Sequence, residues 1–311
     1  MKNSIKNVTV FGPGMMGSGI SQVFASCKDL NVTIFIREKF EYECMDKIKG
    51  NLKVMKDKGI VTEEEIEELL GRITLTEDMK EATKNADFVI ECIPEDMELK
   101  QNLFKNLEDF CRKDTIFATN TSVMSITEIA EKAKLKSRIV GTHFWNPPYL
   151  IPLVEVVKSN YTSDEVMDKT IELLTKANKH PIRVNKDVPG FVANRLQHAL
   201  WREAISIVEN GIADAKTVDE AVKYSFGLRL PHLGPIENAD MVGTDLTLSI
   251  HNYILKYLDR STDSSPLLKK MVEAGELGFK SGKGFQEWTP EQVKESNESL
   301  REYLLKVLYN K

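Results

Sequence analysis

Val8-Thr9-Val10-Phe11-Gly12-Pro13-Gly14-Met15-Met16-Gly17-Ser18-Gly19-Ile20 decides how this chain folds. A run of strand-forming residues passes straight into G-x-G-x-x-G, formed by Gly12, Gly14 and Gly17. The residues that follow, Ile20-Ser21-Gln22-Val23-Phe24-Ala25, have the apolar spacing of a helix. In the order strand, tight turn, helix, each glycine has its own task. Gly12 turns the chain, Gly14 lets backbone approach a pyrophosphate, and Gly17 lets helix and strand pack closely. Unpaired N–H groups at the positive end of the helix then face the diphosphate. The loop, with Met15 and Met16 in its first helical turn, is therefore expected to hold a dinucleotide.

At 311 residues the chain is long for a single core and is expected to form two domains. Its hydrophobic content of 41%, charged content of 29% and net charge of −5 are ordinary for a globular protein, so neither nucleic acid nor an anionic membrane is an expected partner. The first strand begins too early to leave room for a signal peptide, and no unbroken apolar run is long enough to span a bilayer, which points to a cytoplasmic protein. Cys27, Cys44, Cys92 and Cys111 are scattered without C-x-x-C spacing, so reduced thiols are expected rather than disulfides or a metal site.

A second strand, Asn31 to Ile36, ends ~20 residues past the glycines, where such folds place an acid on the adenosine ribose. Here Ile36 stands in that place, followed by Arg37 and Glu38. Without the carboxylate a 2′-hydroxyl loses its acceptor, a 2′-phosphate meets no repulsion, and Arg37 offers such a phosphate a partner. NAD and NADP both stay open. Phe40 to Lys58 reads as a helix with Lys49, Lys53 and Lys56 on one face, either a solvated face or a surface for the phosphates of a large anionic substrate.

Further strands are expected at Ile73–Thr76, Ala86–Ile93, Thr115–Thr119, Ile139–Thr142 and Leu153–Val157, with helices over Glu63–Leu70 and Glu95–Phe110. Two strand ends lead into polar stretches, Asn120-Thr121-Ser122 and His143-Phe144-Trp145-Asn146. Ligands of open α/β sheets lie beyond the carboxyl ends of the strands, so Ser122 and His143 should face the cofactor crevice. Glu155 is a lone acid in an apolar run and should have a partner, since an unpaired buried carboxylate is costly. From Phe191 onward the pattern is helical. Helices are expected over Phe191–Asn210, Ala215–Phe226, Asp240–Tyr257, Pro266–Ala274 and Glu291–Tyr309. The fold expected is an α/β Rossmann-type dinucleotide-binding domain over residues 1–186 followed by an all-α domain over 187–311. Gly278 to Gly284 lacks the register of a phosphate loop and reads as a turn.

Reduction of a ketone by hydride leaves charge on oxygen, which calls for a proton donor and fixed hydrogen-bond donors. His143 is the natural proton donor, and Glu155 can fix its tautomer and stabilise its charged form. The stretches Asn120-Thr121-Ser122, Gly141-Thr142-His143-Phe144-Trp145-Asn146-Pro147, Leu153-Val154-Glu155-Val156 and Val188-Pro189-Gly190-Phe191-Val192-Ala193-Asn194-Arg195 strongly resemble the L-3-hydroxyacyl-CoA dehydrogenases, most of all the bacterial 3-hydroxybutyryl-CoA dehydrogenases. The resemblance runs in order from Val8 through Phe285. It implies His143 as acid and base, Glu155 as its electrostatic partner, and Ser122 and Asn194 as partners of the substrate oxygen. It also implies Glu95 and Lys100 near the nicotinamide-side ribose, Asn120 with the cofactor group, Asn146 with the substrate group, and a homodimer built through the helical domain. Because Asn194 would come from the second domain, closure of the domains is expected for catalysis.

Leu228 to Pro235 departs from the common family pattern at the pocket wall, so acyl length and the thioester itself stay open. The alternatives are a dehydrogenase of a small CoA-free β-hydroxy or β-keto acid or ester, of carnitine or diketo-ester type, and a non-catalytic, crystallin-like dinucleotide-binding protein. The related β-hydroxyacid dehydrogenases that use a catalytic lysine are disfavoured, because Asn194 is followed four residues on by His198.

Overall fold

The computed structural model describes residues 5–37 and 42–309. Contacts divide the chain into two units, Met1–Asn194 with Glu302–Lys311, and Arg195–Arg301. The division expected from sequence lay near Asp187; by contacts the first unit runs on to Asn194 and regains the chain from Glu302.

The first unit contains β1 (Asn7–Phe11), α1 (Met15–Ala25), β2 (Asn31–Phe35), α2 (Glu43–Asp57), α3 (Glu63–Gly71), β3 (Ile73–Thr76), α4 (Met79–Thr83), β4 (Phe88–Glu91), α5 (Met97–Leu107), β5 (Ile116–Thr119), α6 (Ile126–Ile129), β6 (Ile139–Phe144), β7 (Leu153–Val157), α7 (Asp164–Lys176) and β8 (His180–Val184). The strands form one eight-stranded sheet in the order β3-β2-β1-β4-β5-β6-β7-β8. Neighbours run parallel except β6 and β7, which are antiparallel. The strand order reverses between β1 and β4, and that reversal opens the crevice in which open α/β sheets bind ligands.

Both faces of this sheet are covered, and the alternation of each strand shows it. Val8, Val10, Phe88, Ile90, Ile116 and Ala118 belong to one apolar cluster with Ile20 and Phe24 of α1, while Phe11, Val89 and Phe117 join Phe104 of α5 on the other side. Continuous apolar runs are what a strand buried on both faces requires. Side-chain caps start most of the helices, including a capping box at Thr62 and Glu65 and single caps from Asp78, Asp96, Ser125 and Ser163.

The sequence reading assigns nothing between Val157 and Pro181, where the structure has α7 and β8. Pro181 lies within β8, the outermost strand, where a missing N–H costs no ladder bond on the open side. The expected start of the second helix at Phe40 lies outside the described residues. The later helices are α8 (Ala193–Glu209), α9 (Ala215–Lys223), α10 (Pro235–Val242), α11 (Thr244–Ile254), α12 (Pro266–Glu273) and α13 (Pro290–Tyr309). The single helix expected over Asp240–Tyr257 is divided at Gly243, whose φ of 101° no helix accommodates. The end of α13 belongs to the first unit, where Leu305 is buried with Met55 of α2 and Leu150.

Candidate functional site

The glycine loop lies where the sequence predicts and has the shape a diphosphate requires. A Cβ on Gly17 would stand 1.8 Å from the Gly12 carbonyl oxygen, and one on Gly12 would stand 2.6 Å from that of Cys92. At Gly14, by contrast, a Cβ would meet nothing within 4 Å, so the loop is tight on its protein side and open outward. Gly14 caps α1 without a side-chain bond, and the first turn carries no acid. Among the described residues, neither a capping side chain nor a first-turn acid therefore claims the leading amides of α1. The loop borders a cleft of about 710 Å³, lined also by Phe35, Arg37, Lys47, Ile93 and Glu95. These residues fit a dinucleotide. Arg37 reaches the cleft, whereas the Ile36 side chain is fully buried in the apolar core and does not. Glu38, the acid that follows Arg37, lies outside the described residues.

Antiparallel pairing of β6 and β7 sets His143 directly opposite Glu155. Directly paired residues of an antiparallel ladder share a face with their Cβ atoms close together, so register alone brings the two side chains into contact. His143 Nδ1 lies 2.7 Å from Glu155 Oε2, with His143 5% exposed and Glu155 fully buried. The other oxygen, Oε1, accepts from the backbone N–H of Val192 at 2.9 Å and of Ala193 at 3.0 Å. Burial raises the Glu155 carboxyl, but the bonds from His143, Ala193 and Val192 outweigh it and hold the group below the usual carboxylate range. An ionised Glu155 takes the imidazole Nδ1–H and leaves Nε2 to exchange a proton. The rings of Trp145 and Phe191 flank the imidazole, at centroid distances of 5.5 and 5.8 Å.

Ser122 and Asn194 meet beside this pair. The Asn194 side-chain amide donates to the Ser122 carbonyl at 3.2 Å, and both residues belong to the first unit. Asn194, expected from the second domain, stands in the first turn of α8, next to the amides that bind Glu155. Glu95, on the edge of the cleft, accepts the Ser122 N–H and the Thr121 hydroxyl, each at 2.9 Å. Asn120 accepts the Phe144 N–H at 2.9 Å, locking the end of β5 to the end of β6. Lys100 is only 1% exposed and donates to both oxygens of Glu91 at 2.8 Å, with Glu95 at 3.4 Å. Its side chain thus lies beneath the cleft and reaches it through Glu95.

Lys49, Lys53 and Lys56 are exposed on α2 as the spacing predicts, and Lys56 forms an ion pair with Glu63. Met15 and Asn146 are exposed and Met16 is partly buried. The sequence reading misses Glu91, although the signal used for Glu155, a lone acid in an apolar strand, is equally present in Phe88-Val89-Ile90-Glu91. Burial pushes the Glu91 carboxyl up against the pull of Lys100, Thr119 and the Ile93 amide. Asp187 is a second omission, accepting from Ser125 Oγ and the Thr127 N–H, each at 2.7 Å, and so fixing the start of α6. Among the described residues no group of His, Cys, Asp and Glu could hold a metal, and no helix is long and apolar enough to cross a membrane.

Two family models match the chain, that of the 3-hydroxyacyl-CoA dehydrogenase NAD binding domain over residues 7–188 and that of the 3-hydroxyacyl-CoA dehydrogenase C-terminal domain over residues 190–288. The 3-hydroxybutyryl-CoA dehydrogenase of Clostridioides difficile is 38% identical over 283 residues, covering 90% of this chain and 99% of that one. The crystal structure of (S)-3-hydroxybutyryl-CoA dehydrogenase from Ralstonia eutropha superposes with a TM-score of 0.78 at 32% identity, covering 92% of this chain and all (100%) of that one. The structure of 5-formyl-3-hydroxy-2-methylpyridine 4-carboxylic acid 5-dehydrogenase, an NAD+ dependent dismutase, gives a TM-score of 0.89 at 30% identity and covers 97% of both chains. On both domain models and on these relatives, the chain belongs to the 3-hydroxyacyl-CoA dehydrogenase family of NAD-dependent oxidoreductases.

Proposed function

We propose that this protein moves a hydride between a nicotinamide and C3 of a short-chain (S)-3-hydroxyacyl-CoA or 3-ketoacyl-CoA, with His143 as acid and base. The observation that carries the reading is the buried contact of 2.7 Å between His143 and Glu155. When bound, the nicotinamide supplies the two-electron hydride acceptor or donor. In the oxidative direction His143 Nε2 takes the proton of the C3 hydroxyl as hydride leaves C3, and the C–O bond becomes a carbonyl. Glu155 stabilises the imidazolium that results, and Ser122 and Asn194 hydrogen-bond the substrate oxygen. Reduction runs the same steps in reverse, with His143 donating the proton.

A second reading keeps the chemistry and removes CoA, with a small β-hydroxy or β-keto acid as substrate. It is favoured by the TM-score of 0.89 to an enzyme named for a pyridine carboxylate, and by Lys56 of the α2 lysine face, which pairs with Glu63. Either cofactor suits the cleft, and Arg37 on its wall would receive the 2′-phosphate of NADP. Free cysteines agree with a reducing cytoplasm. We also propose a homodimer through the helical unit, because α8, α9, α10 and α11 contain no buried residue and their apolar faces lie open.

The test is an assay of NADH and NADPH against acetoacetyl-CoA, longer 3-ketoacyl-CoAs and CoA-free ketones, on the wild type and His143→Gln. His143→Gln should lower kcat by at least about a hundredfold while cofactor affinity is kept. A variant with wild-type turnover would remove His143 from the chemistry. Turnover of free keto acids without any of CoA thioesters would decide for the second reading.

A further inference from the structure

Glu155 contacts His143 through one oxygen and backbone through the other, and the backbone side has an unusual cause. The amides of Val192 and Ala193 both converge on Oε1, at 2.9 and 3.0 Å. They follow two consecutive residues in the left-handed region, Gly190 with φ 75° and Phe191 with φ 46°. Glycine takes this conformation freely, but for a bulky residue it is strained and persists only where the surroundings fix it. Phe191 is 2% exposed, and its ring packs 5.8 Å from that of His143. Successive N–H groups turned inward by such a bend form a concave anion cradle, and here the cradle opens onto the start of α8, whose dipole adds positive potential.

We propose that the Gly190–Phe191 turn is a positioning device for the acid–base pair, converging two amides on Glu155 Oε1 so that the carboxylate stays ionised with its other oxygen aimed at His143. This rests on His143 being the acid and base. The cradle has two effects. It makes an anion at position 155 tolerable without a lysine or arginine, and it draws charge toward Oε1 so that Oε2 is a weaker partner for an imidazolium. Without the cradle the pair would hold a proton more tightly and release it less readily.

Among the described residues the titratable group facing Glu155 is His143. Its remaining surroundings are uncharged, namely Ile182 of β8 in register beside it and, around the imidazole, Trp145 and Phe191. The experiment replaces Val192 by its α-hydroxy acid analogue in the full-length protein, so that an ester deletes the N–H while the side chain stays in place. Ala193→Pro, which deletes the other donor at a first helical position that accepts proline, is the second variant, and Ala193→Gly, which keeps the N–H, is the control. His143 is titrated by NMR of its imidazole without substrate, and the acid limb of the oxidation rate is recorded separately. Removing a donor should move the His143 midpoint and the acid limb upward by about one pH unit, because the positive potential opposing protonation is gone. The control should not move. A folded ester or proline variant with an unmoved or lowered midpoint would overturn the proposal, as would a glycine control that moves as far as the others. Because the titration needs no substrate, its outcome is separate from that of the acid–base reading, which fails if His143→Gln stays active.

Discussion

Lys179 shows how much one side chain can do without belonging to the site. It lies in the turn between α7 and β8, 8% exposed, and donates to the carbonyls of Pro148 and Ile151. Among the described residues no carboxylate pairs with it, and burial pulls its ammonium down to about 8. Pro148 in turn packs on α1, where a Cβ on Gly19 would lie 2.5 Å from its Cγ. Lys179 thus pins the turn that follows His143 to the cofactor-binding helix. A folded value below the unfolded one means that the unfolded chain binds the extra proton, so stability from this group rises as pH climbs from about 8 to 10.5. The gain is roughly 3 kcal/mol across the window. Urea unfolding of wild type and Lys179→Met at pH 7 and pH 10 should show that increment in the wild type alone. Equal pH slopes in the two proteins would refute it. In the sequence this residue reads as one more surface lysine in Lys176-Ala177-Asn178-Lys179-His180, because burial of a cation is decided by what packs over it.

Elements place the site more firmly than single residues do. The β1–α1 unit depends on Gly17, and the pairing of His143 with Glu155 depends on β7 running antiparallel to β6. Two glycines test the first dependence. Gly17→Ala puts a methyl group 1.8 Å from the Gly12 carbonyl oxygen, so the loop must open. Stability and nicotinamide affinity should both fall, the affinity by at least about tenfold. Gly50→Ala, inside α2 with nothing within 4 Å of the new Cβ, should stabilise by about 0.5–1 kcal/mol and leave affinity unchanged. Thermal unfolding and cofactor titration measure both, and the prediction fails if Gly17→Ala binds as the wild type does. The strands through β7 were legible because each reads as an apolar run between turn residues. α7 escaped although Ser163 caps it, since Asp164, Glu165, Asp168, Lys169 and Glu172 make its stretch look like loop.

The whole chain holds two units of different self-sufficiency. The first has a sheet with an apolar cluster on each face. Within Arg195–Arg301 the buried apolar residues are Leu233 and Met271, while side chains such as Ile236 and Met241 are above 70% exposed. A helical layer this open lacks a core of its own, and the proposed homodimer would supply one from a second copy. Its melting temperature should therefore rise with protein concentration, and sedimentation should report a dimer. Leu248→Glu, a charge on the open side of α11, should give monomers with a lower melting temperature. A concentration-independent monomer would contradict the proposal.

The chain order of residues was enough for the β1–α1 loop and for the change from alternating elements to helices, and with the family resemblance it singled out His143, Glu155, Ser122 and Asn194 as candidates. Periodicity, glycine geometry and residue type are local properties that neighbours in the chain reveal. Folding decided the rest. That Glu155 faces His143 follows from strand register, that Ile36 turns inward while Arg37 reaches the cleft follows from side-chain alternation at a strand end, and that Lys100 serves Glu91 follows from burial. The convergence of the Val192 and Ala193 amides on Glu155 required the left-handed turn at Gly190 and Phe191. A backbone N–H has the same chemistry at every residue, so only its direction in space makes it part of a site.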